Sequence, residues 1–158
     1  MLSRRGFLSV AGASAAVLFV APDLVGLPRG GTAVYGVKIT VFRSPSCNCC
    51  ADWITHLTTN GFDVDARSVD DVDPIKREHN VPEKLWSCHT AVVGRYVIEG
   101  HVPADVIQQL LADRPNFAGL AVAGMPIGAP GMEHGDHSEP YDVVSFTCCG
   151  ETKVYARR

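Results

Sequence analysis

The sequence predicts an α/β fold with a mixed central sheet, flanking helices and a C-terminal β-hairpin. A C-x-x-C pair, Cys47 and Cys50, stands between a strand pattern and a helix pattern, and a second strand pattern completes a β-α-β unit. A hairpin pattern and a second amphipathic helix follow, and a final hairpin pattern ends the chain. The 158 residues suffice for one domain of ordinary size.

The first 30 residues predict an export signal. Ser3-Arg4-Arg5-Gly6-Phe7-Leu8 resembles the bacterial twin-arginine motif, and an apolar run of about 12 residues, 10–21, follows it. A membrane span needs ~20 residues, so the short run favours a cleaved signal over an uncleaved anchor. We therefore expect a signal at residues 1–30, one domain at residues 31–158, and a periplasmic location.

The first half of that domain places the cysteines at the start of a helix. Residues 37–42 (VKITVF) are a β-branched strand pattern, and a Ser-Pro-Ser turn follows. Apolar residues recur at helical spacing over residues 49–60, where Asn60-Gly61 supplies a stop. Residues 62–67 alternate apolar and polar side chains, as in a half-buried strand.

The second half supplies the remaining elements. They are a short helix beginning at Pro74, a hairpin over residues 89–99 with a Gly94-Arg95 turn, a helix over residues 106–114, a long ordered Gly/Pro-rich loop at 119–135, and a last hairpin of strands 141–146 and 153–156. This order is that of the thioredoxin fold, which makes the expected fold class thioredoxin-like.

One loop departs from the thioredoxin pattern. In that fold the loop before the third core strand faces the cysteine motif and carries a cis-proline, which keeps metal ions away from the exposed sulfurs. The matching loop here reads WSCHT, with Cys88 and His89 in that place. Cys88 therefore adds a sulfur that faces Cys47 and Cys50, and this favours a metal site.

The cysteine spacing supports the same interpretation. Five of the six cysteines lie in two tight clusters, whereas a structural disulfide framework spreads its bridges. Thiolates gathered at a helix N-terminus favour soft ions, chiefly Cu(I) and next Zn(II). More cysteines than one ion needs indicate a polynuclear site.

The predicted metal ligands each have a structural alternative. They are Cys47, Cys49, Cys50, Cys88, His89, Met125 and Met132. The C-x-x-C pair could be a simple disulfide, Cys49 faces away from Cys47 if the helix is regular, and Cys88 could be a buried apolar residue. Methionines often fill core gaps. His101 could be structural as readily as functional, and His134 and His137 fit a solvated loop.

Three segments resemble the CopG-like family, a group of periplasmic thioredoxin-fold proteins associated with bacterial copper resistance and long catalogued as a domain of unknown function. They are VFRSPSCNCCADW, SCHTAVVGRYVIEGHVPADVI and GLAVAGMPIGAPGME. The resemblance runs from about residue 37 to 156. It implies copper bound by Cys47, Cys49, Cys50 and Cys88, as a cluster able to change between Cu(I) and Cu(II). Cys148-Cys149 stands where the family is expected to have polar turn residues. The pair could extend the site, form a disulfide elsewhere or bind a second ion.

Three functions remain open at this point. The favoured one is a periplasmic protein that sequesters, buffers or passes on copper, with other periplasmic copper-handling proteins as partners. The second is a thiol–disulfide oxidoreductase, in which Cys47 attacks and Cys50 resolves. The third is a structural zinc site. Residues 31–158 have 11 basic and 16 acidic side chains and no basic stripe, which excludes nucleic acid. The balance favours a binding protein over an enzyme and leaves copper or thiol redox activity open.

Overall fold

The computed structural model describes residues 35–158. The predicted export signal and the domain boundary at residue 30 lie outside the described residues and stay predictions. Within residues 35–158, no helix has the length and apolar character needed to cross a bilayer.

The described residues form seven strands and three α-helices. The strands are β1 (Lys38–Arg43), β2 (Asp63–Ser68), β3 (His89–Val93), β4 (Tyr96–Glu99), β5 (Gly119–Ala121), β6 (Asp142–Phe146) and β7 (Thr152–Arg157). The helices are α1 (Asn48–Thr59), α2 (Asp73–Glu78) and α3 (Ala104–Asp113), with a 3₁₀ helix at Glu83–Leu85.

All seven strands belong to one mixed sheet in the order β2-β1-β3-β4-β5-β6-β7. β1 runs parallel to β2 and β4 parallel to β5, and the other neighbours are antiparallel. The first four strands and their helices have the thioredoxin-like arrangement, and β6 and β7 form the C-terminal hairpin. The predicted fold class is confirmed.

The two faces of the sheet carry separate cores, because successive side chains of a strand point to opposite faces. On one face, α1 and α3 contribute Trp53, Leu57 and Leu110 to a large buried cluster with Ile39 and Ile98. On the other face, the segment that contains the 3₁₀ helix packs Val81 and Leu85 on Val97, Ala121 and Phe146. The first cluster anchors the helix that begins with the cysteine motif.

The predicted loop at residues 119–135 is wrong at its beginning, where the structure has strand β5. This three-residue strand is buried between β4 and β6. It begins with Gly119, where a Cβ would collide with the carbonyl oxygen of Val97. The close approach of two backbones requires glycine there, and a strand that short and glycine-led has no readable alternation.

Helix α3 begins at Ala104, two residues before the predicted start. The ring Nε2 of His56 accepts a hydrogen bond of 3.1 Å from the Ala104 backbone N–H, and Pro103 precedes it in extended conformation. Burial lowers the pKa of His56, which suits a neutral ring that accepts this bond. Sequence patterns gave His56 no role, because the bond joins two helices 48 residues apart.

Candidate metal centre

The strand register brings three distant loops to one end of the sheet. Arg43 at the end of β1 pairs with His89 at the start of β3, and Thr90 pairs with Glu99 at the end of β4. The loop that follows β1 carries the cysteine motif, Cys88 directly precedes β3, and His101 follows β4. Their side chains therefore meet beside the N-terminus of α1.

Four cysteine sulfurs lie together at this end. The Cys49 Sγ lies 3.5 Å from the Cys47 Sγ and 3.9 Å from the Cys88 Sγ. Cys47 and Cys50 form a disulfide. All four sulfurs lie within 4.8 Å of one another, which is close enough to share an ion. The role of Cys47 and Cys50 as ligands requires reduction of this bond and stays a prediction.

Cys49 does not face away from Cys47, contrary to the expectation for a regular helix. Cys47 is the N-cap residue of α1 and has extended backbone angles, φ −80° and ψ 98°. The rotation of 100° per residue that holds inside a helix does not apply between a cap residue and the first turn. The Cys49 sulfur consequently lies between those of Cys47 and Cys88.

Two imidazoles converge on Cys88 from the other side. The Cys88 Sγ lies 3.1 Å from the His101 Nε2 and 3.2 Å from the His89 Nδ1. These three atoms form a second group with the spacing of metal ligands, and Cys88 belongs to both groups. The structure places His89, a predicted ligand, and His101, which the sequence left undecided, next to Cys88, while ligation by either ring stays a prediction. The sequence feature that could have indicated His101 is the Glu99-Gly100-His101 motif, in which Glu99 ends β4.

The surroundings of His101 leave its Nε2 free to accept a hydrogen bond or to bind a metal ion. The Nδ1–H donates a 2.8 Å hydrogen bond to the Pro130 carbonyl oxygen. Burial lowers the pKa of His101, so the ring is neutral at neutral pH with the Nε2 lone pair directed at Cys88. A carbonyl that fixes the far nitrogen in this way is the usual partner of a metal-bound histidine.

His89 is fully buried and stacks against Trp53, with ring centroids 4.3 Å apart. Burial, and next the neighbouring His101 ring and the Lys76 ammonium, hold the pKa of His89 well below its usual range. Its Nε2 has no hydrogen-bond partner among residues 35–158. The ring is therefore neutral and is directed toward Cys88 through Nδ1.

The Cys88 thiol keeps its proton at neutral pH until a metal ion displaces that proton. Burial, and next the proximity of Cys49, raise the pKa of the Cys88 thiol to about 12. A thiol with this pKa is a poor nucleophile at neutral pH. It becomes a strong ligand once a cation compensates the charge, which separates a metal-binding role from a nucleophilic one.

The backbone around the motif favours negative charge on sulfur. The first turn of α1 contains no acidic residue, and the cysteine motif lies at the N-terminus of the helix, the positive end of its dipole. The guanidinium of Arg43 donates hydrogen bonds of 3.0 and 3.3 Å to the carbonyls of Ser44 and Cys47, which holds the loop in place. A positive helix terminus at the motif suits anionic sulfur ligands.

The Gly/Pro-rich loop packs against one side of the site. Gly131 has φ +84°, and a Cβ there would lie 2.8 Å from the Cys49 carbonyl oxygen, so the loop packs directly on the first turn of α1. The Ser87 hydroxyl donates a 2.5 Å hydrogen bond to the Gly124 carbonyl. Met125 and Met132 each follow one of these glycines, and Met125 is 55% exposed. Their backbone borders the site, while ligation by their thioethers stays a prediction.

A buried ion pair supports the Cys88 loop from below. The Lys76 Nζ lies 2.6 Å from Glu99 Oε1, and both side chains are inaccessible to solvent. The same oxygen accepts a 2.7 Å hydrogen bond from the Ser87 backbone N–H, and the other carboxylate oxygen accepts one of 2.7 Å from the Thr90 hydroxyl. Burial raises the pKa of Glu99, an effect that the Lys76 charge opposes. No sequence pattern indicated that Lys76 is buried, because a lysine in a polar helix normally lies on the solvent-exposed face.

The remaining candidates belong to neither group of ligand atoms. His134 and His137 are exposed and face each other across a short β-bridge in the loop before β6. Cys148 and Cys149 are exposed in the β6–β7 turn, outside both groups of ligand atoms.

The fold and the site define a thioredoxin-like protein whose C-x-x-C motif is joined by two further sulfurs and two imidazoles. The family model described as "Protein of unknown function, DUF411" matches residues 85–132. Two solved structures, titled "Copper resistance protein copG- Form 2" and "Copper resistance protein copG- Form 1", are each 43% identical with a TM-score of 0.74. Each alignment covers 78% of this chain and 98% of that one. A comparison with curated proteins found no match. The chain belongs to the CopG-like family of DUF411 proteins.

Proposed function

We propose that this chain is a periplasmic copper-binding protein that holds copper on Cys47, Cys49, Cys50 and Cys88. The observation that supports it is the approach of four sulfurs from two distant segments to within 4.8 Å of one another. The 43% identity to two structures titled copper resistance proteins favours copper as the ion. The twin-arginine-like motif before the domain supports export to the periplasm.

The donor set suits Cu(I) better than the alternatives. Soft thiolate and thioether ligands select Cu(I), whereas a structural zinc site uses four ligands in a closed tetrahedron. Four sulfurs and the two imidazoles of His89 and His101 exceed the needs of one ion. They support a thiolate-bridged cluster, which Met125 and Met132 would complete from the Gly/Pro-rich loop, and mixed sulfur and nitrogen donors accommodate both Cu(I) and Cu(II).

Binding is coupled to the redox state of the C-x-x-C pair. A dithiol reductant supplies the two electrons and two protons that convert the Cys47–Cys50 disulfide to two thiols and is itself oxidised to a disulfide, and copper binding then displaces protons from the sulfurs. We therefore expect the reduced protein to bind at least one Cu(I) per chain, and protein oxidised with diamide to bind less than about a tenth of that amount. Copper per chain is measured after gel filtration, with free thiols counted in the same samples. Equal copper in both forms would contradict the assignment of Cys47 and Cys50 as ligands.

His101 provides a test that leaves every cysteine in place. Replacement of His101 by glutamine is expected to weaken Cu(I) binding by about 10- to 100-fold, the range found when groups around metal ligands are removed. Competition with a chromogenic Cu(I) chelator measures the affinity. The matched control is His134→Gln, on the exposed loop, which should leave the affinity unchanged. Equal affinities for both variants would remove His101 from the site.

One observation favours a second function, that of a thiol–disulfide oxidoreductase. The two cysteines expected to attack and resolve do form a disulfide, at the N-terminus of α1 where a thiolate is stabilised. Insulin reduction that depends on Cys47 and is insensitive to Cys88→Ser would support this function. The cysteine and histidine where thioredoxins carry a cis-proline argue for the metal site instead, since the loss of that proline weakens the groove in which a peptide substrate would lie.

A further inference from the structure

The turn between β6 and β7 presents two adjacent thiols in a defined geometry. Cys148 and Cys149 occupy its central positions, and their sulfurs lie 3.7 Å apart. The Gly150 N–H donates a 3.0 Å hydrogen bond to the Thr147 carbonyl, and Gly150 has φ +81°, as in a three-residue hairpin loop. The Glu151 N–H adds a 3.2 Å bond to the Thr147 hydroxyl. The turn is therefore braced, and both thiols are exposed to solvent.

The strand register separates this pair from the cysteine cluster described above. Phe146, which precedes the turn, lies in the row of Gly119, Val97 and Val92, whereas Cys88 precedes the opposite end of β3. About six residue steps along the strand direction divide them, which amounts to roughly 20 Å at about 3.4 Å per residue. No single ion can be shared over that distance, so the pair is not an extension of the first site.

The sulfur separation matches one edge of a metal site. Thiolates held at about 2.3 Å from an ion in tetrahedral geometry stand about 3.8 Å apart. A soft cation bound between the two sulfurs displaces the proton of each thiol and compensates the charge of the two thiolates. Two protein sulfurs leave the remaining coordination positions open to solvent or to a thiol of another molecule.

We propose that Cys148 and Cys149 form a second, independent binding site for a soft thiophilic cation such as Cu(I), open for ligand exchange at the surface. It stands apart from the proposed function of the first cluster, because neither site needs the residues of the other. The open positions suit an ion that is taken up or handed over, whereas the first cluster, with four sulfurs and two imidazoles, suits an ion that is retained.

The test is a Cu(I) titration of the reduced full chain, in which gel filtration separates monomer from dimer and a Cu(I) chelator provides the competition. We expect Cys148→Ser/Cys149→Ser to bind one Cu(I) per chain less than the wild type in the monomer fraction, and each single variant to lose the same amount. Because the turn is exposed, these variants are expected to keep the wild-type fold, which circular dichroism checks.

The Cys88→Ser variant distinguishes the two proposals. If the first cluster fails to bind copper but the turn binds it, Cys88→Ser and wild type carry the same single ion, which Cys148→Ser/Cys149→Ser removes. The inference is overturned if the double variant keeps the wild-type Cu(I) content. It is also overturned if the additional ion occurs only in the dimer fraction, since the pair would then bridge chains rather than chelate within one.

Discussion

Replacement of Cys88 by serine is expected to abolish most copper binding by the cluster at the N-terminus of α1. The Cys88 sulfur is the one atom common to both groups of ligand atoms, the four cysteines and the Cys88–His89–His101 group. A serine oxygen is a hard donor that Cu(I) disfavours, and it is too short to reach both neighbours. The expected loss of Cu(I) affinity is about 100-fold or more, beyond the 10- to 100-fold cost of removing groups that only support ligands.

The measurement is chelator competition on reduced protein in the Cys148→Ser/Cys149→Ser background, which removes the turn site, and His134→Gln in the same background is the matched control. That control alters an exposed histidine outside both groups of ligand atoms, so its affinity should equal that of the background protein. Near-ultraviolet circular dichroism checks that Trp53, which packs next to the site, keeps its environment. An unchanged affinity in Cys88→Ser, equal to that of the background protein, would contradict the copper assignment and leave the oxidoreductase as the better explanation of the C-x-x-C motif.

Much of the fold follows from local patterns in the sequence. The strand–cysteine–helix–strand order and the two hairpins are read from alternation, helical periodicity and turn residues, because each depends on neighbours within about ten positions. Strand β5 could not be predicted from local patterns, because its place in the sheet depends on close backbone contact with Val97 rather than on its own three side chains. Its position between β4 and β6 is a tertiary fact.

The sequence indicated residues of the site only where they replace a known feature of the thioredoxin fold. Cys88 and His89 were found because they stand where thioredoxins have a proline. His101 lies 13 residues from Cys88, and only the pairing of β3 with β4 shows that the two meet. The same pairing places Glu99, at the end of β4, next to the Cys88 loop. Lys76 contacts Glu99 from α2.

The buried network beneath Cys88 links stability to the geometry of the site. Glu99 accepts hydrogen bonds from Ser87, Thr90 and Lys76, so one carboxylate fixes the loop, the strand and the helix at once. A charge this deeply buried is tolerated only while its partner remains. The network therefore adds little net stability over an apolar core, but it sets the position of the Ser87–Cys88 backbone.

Replacement of Lys76 by methionine is expected to destabilise the fold by about 3–5 kcal/mol, because Glu99 is left as an unpaired buried charge. The free energy of unfolding in urea, measured with reduced copper-free protein, checks this value. Lys76→Met/Glu99→Gln should recover most of the loss, since the neutral glutamine can accept from the Ser87 N–H through its amide oxygen and can donate to the Thr90 hydroxyl in place of Lys76. The matched control is Arg77→Met, whose exposed pairing with Asp73 is expected to contribute less than about 0.5 kcal/mol.

If Lys76→Met lowered the free energy of unfolding no more than Arg77→Met does, the ion pair would not be what holds the Cys88 loop in place. The support for that loop would then have to come from the Ser87–Gly124 contact on its outer side.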